Sequence, residues 1–258
     1  MHRADPPDHP ILALPEVTLC AVTSVNVTAT LCAMEACLDQ IAFGDCVLLT
    51  HADVVPVQPA IRVERIAPLR SSAAYSNFML QHLPDHIHTS HGLVVQWDGH
   101  VLDAARWDAE FLRYDYVGAS WPQFADGHDV GNGGFSLRSR RLMEACRDPA
   151  FRPMHPEDVA IGRVNRRWLE QQGLCFAPRE LADRFSAERT GDPATTFGYH
   201  GVFNMPAALG ADCFWRVYQE LDERGTIRPD FWPLVRAVLR RRGGVARAFQ
   251  MIRDRVLA

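Results

Sequence analysis

The order strand, helix, strand within the first fifty residues constrains the fold more than any other feature of the chain. Residues 17–25, VTLCAVTSV, are a β-branched run of strand length, and residues 29–41 carry Leu31, Met34, Leu38 and Ile41 at helical spacing. A second apolar run, Cys46 to Thr50, follows directly after Phe43-Gly44-Asp45. Two parallel strands need a crossover between them, so this opening predicts an α/β fold with a mostly parallel sheet. Residues 71–83 read as a further helix, and Gly92 to Gln96 as a buried strand that stops at Trp97-Asp98-Gly99. Side chains at such strand ends face the ligand crevice. There follow an aromatic-rich segment, Trp107 to Trp121, a glycine-rich turn at 130–139, VGNGGFSLRS, and helices at 140–146 and after Pro156. Two more helices are predicted at 233–242 and 245–257, parted by Gly243-Gly244.

A chain of 258 residues can bury a sizeable core, and 47% hydrophobic with 22% charged residues excludes disordered and collagen-like classes. No apolar run reaches spanning length, and MHRADPPDHP is no export signal, so a cytoplasmic location is expected. Seven cysteines without a C-x-x-C pair fit reduced, mostly buried thiols. All 27 basic residues are Arg, and their distribution is uneven. Residues 228–258 hold eight Arg against two Asp, a net +6, which leaves −10 for residues 1–227. An acidic body of that charge argues against a nucleic-acid partner. The chain therefore divides into an N-terminal extension (1–14), a body (15–227) and a basic amphipathic helical tail (228–258). In the tail, Val245, Ala248, Phe249, Ile252 and Val256 fall on one helical stripe. The favoured expectation is that this stripe packs on the body with Arg facing water; the alternative is peripheral contact with an anionic membrane or acceptor.

Four segments could carry chemistry. Gln96 and Asp98 leave the strand end on the same side, where a carboxylate can hold a hard cation on phosphate oxygens or simply cap a turn. Gly131, Gly133 and Gly134 would let backbone approach a ligand closely, but the spacing is neither that of a phosphate-binding P-loop nor that of a dinucleotide fold. Glu157 and Asp158 sit where acids ordinarily favour a helix start, and one of them could serve as a general base. His200, in TFGYHG, could complete a metal site with Asp98 or be a hydrogen-bonded core residue. The dense His86, His88, His91 segment invites a zinc reading, yet no second cluster in matching spacing exists.

In this order, QWDG, VGNGGFSLRS, PED and FGYHG resemble the motif series of GT-A nucleotide-sugar glycosyltransferases. More closely, the chain is similar to a bacterial family defined as a domain of unknown function and regarded as glycosyltransferase-like, over about residues 15–202. The resemblance implies a GT-A-like, Rossmann-like sheet in a catalytic body, and an enzyme transferring sugar from a nucleotide-diphosphate donor to a hydroxyl of a glycan or lipid-linked acceptor. Inversion at the anomeric carbon and a role in polysaccharide biosynthesis go with it, in the cytoplasm or at the inner face of the membrane. It implies Asp158 as general base with Glu157 orienting it, and Asp98 with His200 as ligands of Mn²⁺ or Mg²⁺. Thr23, Asn26, Gln96 and Asp98 would contact the donor nucleotide. Asn132, Gly133, Gly134, Trp121 and Tyr199 would line the donor-sugar and acceptor pocket. Gln96 stands where many such enzymes have a first Asp, and an amide supplies no charge, so metal dependence is the open part. Two other functions stay open: a metal-dependent phosphoesterase or nucleotide-sugar hydrolase drawing on the His86–His91 cluster, and a nucleotide-sugar-binding module without turnover.

Overall fold

The computed structural model describes residues 11–241 and 243–257, so the expected extension over 1–14 falls mostly outside the described residues. Strand β1 (Leu12–Thr23) starts well before its apolar centre, because a register shift between Leu14 and Thr18 lets it pair with β2 (Ile41–Thr50) along both halves. Helix α1 (Val27–Leu38) crosses between them and buries Ala33, Met34 and Cys37. Strand β3 (Arg62–Arg65) extends the sheet beside β2. Helix α2 (Ser72–Gln81), capped by Ser71, then returns the chain to the other side of β1, where β4 (His91–Val94) pairs in parallel. Strands β5 (Tyr116–Val117) and β6 (Ser136–Ser139) complete the order β3-β2-β1-β4-β6-β5, with β6 antiparallel to both neighbours. The sheet is thus mostly parallel and α/β, as the opening pattern predicts.

Topology fixes where a crevice can form. From β1 the chain leaves toward β2, whereas β4 lies on the opposite side, so the loops after β1 and β4 diverge at the carboxyl ends of the strands. Beyond β4, the backbone N–H of Val95 still donates to Cys20 (3.0 Å), and Gln96 and Gly99 exchange backbone hydrogen bonds in a tight turn. That turn projects Gln96 and Asp98 from the sheet.

The connecting helices are α3 (Arg140–Ala145), α4 (Glu157–Val159), which widens into a π-turn at Ala160–Val164, α5 (Arg166–Gln171) and α6 (Arg179–Phe185). Strands β7 (Ser186–Ala187) and β8 (Gly198–Tyr199) form a two-stranded parallel ribbon, bridged to the body through Val101 and Gly198. Last come α7 (Met205–Ala208), α8 (Ala211–Glu220), α9 (Phe231–Leu239) and α10 (Gly244–Leu257). They share a core in which Phe214, Trp215, Tyr218, Leu234, Val238, Ala248 and Met251 meet Tyr199 and Val202 of the body. The tail therefore continues the fold. One expectation fails here: of the predicted α10 stripe only Ala248 is buried, while Val245, Phe249, Ile252 and Val256 are exposed. The cause is local, since Asp254 is tied to Arg224 and Tyr218, and Arg247 to Asp212, holding the helix by its polar side. Among the described residues no helix is long and apolar enough to cross a membrane. Cys20, Cys37, Cys46 and Cys146 are buried, Cys32 and Cys175 exposed, and all the cysteines are free thiols.

Candidate active site

A cavity of about 420 Å³ opens at the diverging loops. Thr23, Ser24 and Val25 line it from the end of β1, Gln96 and Trp97 from the turn after β4, and Arg70 and Tyr75 from the start of α2. The Gln96 amide is oriented by donating from Nε2 to the Tyr75 hydroxyl (2.9 Å), which aims its Oε1 at Nε2 of His200 (3.3 Å). Thr23 itself bonds back to the chain at Val25.

Asp98 and His200 lie together beside this cavity. One Asp98 oxygen, Oδ2, accepts the backbone N–H of Val202 (3.1 Å). The other, Oδ1, is buried without a hydrogen-bond partner among the described residues and stands 3.6 Å from His200 Nε2. On the far side of the ring, His200 Nδ1 donates to Glu188 (3.1 Å), a residue that the sequence did not single out. Burial works against a charged imidazole there, but Asp98 and then Glu188 and Asp158 outweigh it and push the His200 pKa up to about 9. Burial also raises the Asp98 carboxyl, with His200 opposing it.

The donor set fits a cation shared with a substrate. Asp98 Oδ1, His200 Nε2 and Gln96 Oε1 face one another, and Glu188 stands behind the far ring nitrogen, as a carboxylate usually does where a His ligates a metal. Among the described residues no group of three or more His, Cys, Asp or Glu side chains is placed to hold a metal, so Asp98 and His200 would supply only part of a cation's ligand set.

The glycine loop wedges between His200 and the PED segment. A Cβ on Gly134 would lie 1.9 Å from His200 Nε2, and one on Gly133 2.4 Å from Glu157 Oε1. Asn132 holds the turn with φ of 64°, accepts from the Gly134 N–H (3.1 Å) through Oδ1, and leaves its buried Nδ2 without a partner among the described residues. Behind the loop, Arg138 is wholly buried and ties Gly133 O (3.2 Å) to Glu157 Oε1 (3.4 Å). The second Glu157 oxygen accepts from Ser76 of α2 (2.8 Å). Glu157 is thus spent on internal bonds, whereas among the described residues Asp158 is bonded only to the N–H of Val159. Burial, then the charge of Glu157, raises the Asp158 carboxyl above the ordinary 3.8.

Three expected contacts lie elsewhere. Asn26 is fully buried in a left-handed turn, with its amide bonded to the Glu223 backbone and Thr226, so it ties the tail to β1 and has nothing left for a ribose. Trp121 sits under the loop, where a Cβ on Gly131 would touch its ring, and Tyr199 is edge-on to His100 with no exposed surface. Neither offers a face to a ligand; the aromatics lining the cavity are Tyr75 and Trp97. The histidine cluster is dispersed, with His86 paired to Glu64 and His91 packed at the start of β4 against Ser90.

A family model described as a protein of unknown function, DUF5672, matches residues 60–200, more than half of the chain. The chain belongs to the DUF5672 family. The DUF5672 region runs from β3 to His200, taking in Gln96, Asp98, the glycine loop, Glu157 and Asp158, and leaves out β1, α1 and the C-terminal helices. No curated protein matches this sequence. Among solved structures the chain is similar to an active-site glutamine mutant of LgtC, at 17% identity and a TM-score of 0.43, covering 80% of this chain and 96% of that one.

Proposed function

We propose that this DUF5672 protein is a GT-A-like glycosyltransferase that moves a sugar from a nucleotide-diphosphate donor to a hydroxyl acceptor, with inversion, in glycan or polysaccharide biosynthesis. The observation that carries the reading is convergence: Gln96, which lines the cavity, with Asp98, Gly134 and His200 come together from three separate segments at the sheet's switch point, and Asp158 lies near enough for its charge to act on the His200 ring. The nucleotide occupies the cavity, with Trp97 available for stacking and Thr23, Ser24 and the Gln96 amide for the ribose. Arg70, at the rim, faces the diphosphate as a fixed positive charge.

Breaking the bond from sugar to phosphate puts negative charge on the diphosphate. A divalent cation held by Asp98 and His200 supplies positive charge there when bound. Glu188 fixes the His200 ring by accepting its Nδ1 proton. Asp158 takes the proton from the attacking acceptor hydroxyl, and its raised affinity for a proton suits a base. Glu157, clamped by Arg138 and Ser76, holds the start of α4 and so positions its neighbour. The Asn132 amide nitrogen, without a partner among the described residues, and the close-packed glycine backbone support a role toward sugar hydroxyls. The phosphoesterase reading has no such support, because His86 is committed to Glu64 beside β3.

A thermal-shift panel of nucleosides, nucleoside diphosphates and nucleotide sugars, with and without Mn²⁺, tests donor binding. A diphosphate at about a hundredfold over its Kd is expected to raise Tm by roughly 5 °C or more, with the free nucleoside doing far less. No shift with any diphosphate would sink the reading.

A further inference from the structure

Helix α10 meets the body on the side that its sequence would give to water. Ala248 and Met251 are buried, Asp254 accepts from Arg224 (3.0 Å) and the Tyr218 hydroxyl (3.1 Å), and Arg247 pairs with Asp212 over the Trp215 ring. Turned outward instead are Val245, Phe249, Ile252 and Val256, with exposures of 77%, 70%, 39% and 80%. At this spacing they form one narrow stripe along the helix, with Arg253 on one side of it and, on the other, Arg255, which is exposed but lays its guanidinium over the Phe231 ring (4.5 Å). The neighbouring α9 turns Trp232, Arg236, Leu239 and Arg240 outward. Of the two tail acids, Asp230 pairs with Arg189 (3.1 Å), while Asp254 turns one oxygen to Arg224 and Tyr218 and meets Arg253 with the other (3.3 Å).

The geometry points to this outer surface of α9 and α10 as a site that docks in plane on an anionic lipid bilayer. Scattered exposed apolar residues are ordinary, but a continuous apolar stripe rimmed by arginines is the pattern of an interfacial helix. Charge complementarity selects the occupant: the arginines meet lipid phosphates while the stripe enters the acyl boundary. A second copy of the chain fits poorly. Two copies would set the arginines of one surface against those of the other, and like charges repel. Docking would also orient the crevice, because Thr226, in the helical turn that leads into α9, lines the cavity and Trp97 packs against the same helical core.

Co-sedimentation of the full chain with phosphatidylglycerol-containing and pure phosphatidylcholine vesicles tests this. The full chain is expected to pellet with the anionic vesicles at low salt, much less at high salt, and little with neutral ones. Phe249→Glu with Ile252→Glu should cut partitioning at least about tenfold, with Tm and nucleotide binding unchanged because both side chains are exposed. Arg253→Gln and Arg255→Gln should each weaken it about fivefold. Negligible pelleting, pelleting indifferent to lipid charge, or variants that pellet like the wild type would overturn the proposal. So would a dimer in sedimentation velocity that Phe249→Glu dissolves, which would give the stripe to a second copy. None of these outcomes touches donor binding in the crevice, so the two proposals fail separately.

Discussion

Adjacent acids with opposite fates define the site at the scale of residues. Glu157 completes a buried ion pair with Arg138, and removing one partner of such a pair leaves the other charge uncompensated. Glu157→Ala is therefore expected to destabilise the protein by about 3–5 kcal/mol, read as a large fall in the urea midpoint. Asp158 behaves the other way. Its raised folded-state pKa means that the folded chain binds the proton more tightly than the unfolded one. Its stabilising contribution is then greatest at low pH and declines as pH rises from the ordinary 3.8 through the raised value. Asp158→Asn should consequently be at least as stable as the wild type at neutral pH, and lose transfer by about 10²–10⁴-fold, the usual worth of a general base. The same shift puts the acid limb of the wild-type pH–rate profile above the ordinary aspartate range. At Gly134 space decides: an added Cβ 1.9 Å from Nε2 must move the His200 ring, so Gly134→Ala is expected to cost roughly 1–3 kcal/mol and to weaken donor binding, measured in the same melts.

Elements explain which parts of the fold were legible. The β1-α1-β2 opening could be read because parallel strands are buried on both faces and carry continuous apolar runs, with helical spacing between them. Strand β6 could not, since its SLRS core buries Arg138, a residue whose partners, Glu157 and Gly133, come only with the tertiary fold. Likewise β7 and β8 are two residues long and carry no periodic signal, yet Glu188 follows directly from β7 and His200 from β8. The sequence motifs named Gln96, Asp98, Asp158 and His200, which the structure brings together; Tyr75, Arg70 and Glu188, which orient or rim them, sit in segments without a motif. Periodicity found the α10 stripe but not its direction, because it identifies an apolar face without identifying what covers it. Asn26 illustrates the same limit, reading as a polar strand-end residue while serving as a latch between β1 and residues 223–226. Asn26→Ala loses those bonds and strains a left-handed backbone. It should cost about 2–3 kcal/mol by urea denaturation and loosen the cavity rim that Thr226 forms.

For the whole molecule, the split between acidic body and arginine tail acquires two separate meanings. Part of the body's negative charge gathers at Asp98, Glu157, Asp158 and Glu188 around His200, where a cation and an acceptor would be handled. The tail spends Arg247 on the body and turns Arg236, Arg240, Arg253 and Arg255 outward. One bears on what is done, the other on where. The central claim is that the converged crevice turns over a nucleotide sugar, and it is tested most directly by nucleoside-diphosphate release from a panel of donors with wild type, Asp98→Ala and Asp158→Asn. Release with at least one donor by the wild type, lost in Asp98→Ala and lost with donor binding intact in Asp158→Asn, is the predicted result. Donor binding without release by the wild type, or release that persists in both variants, would contradict it.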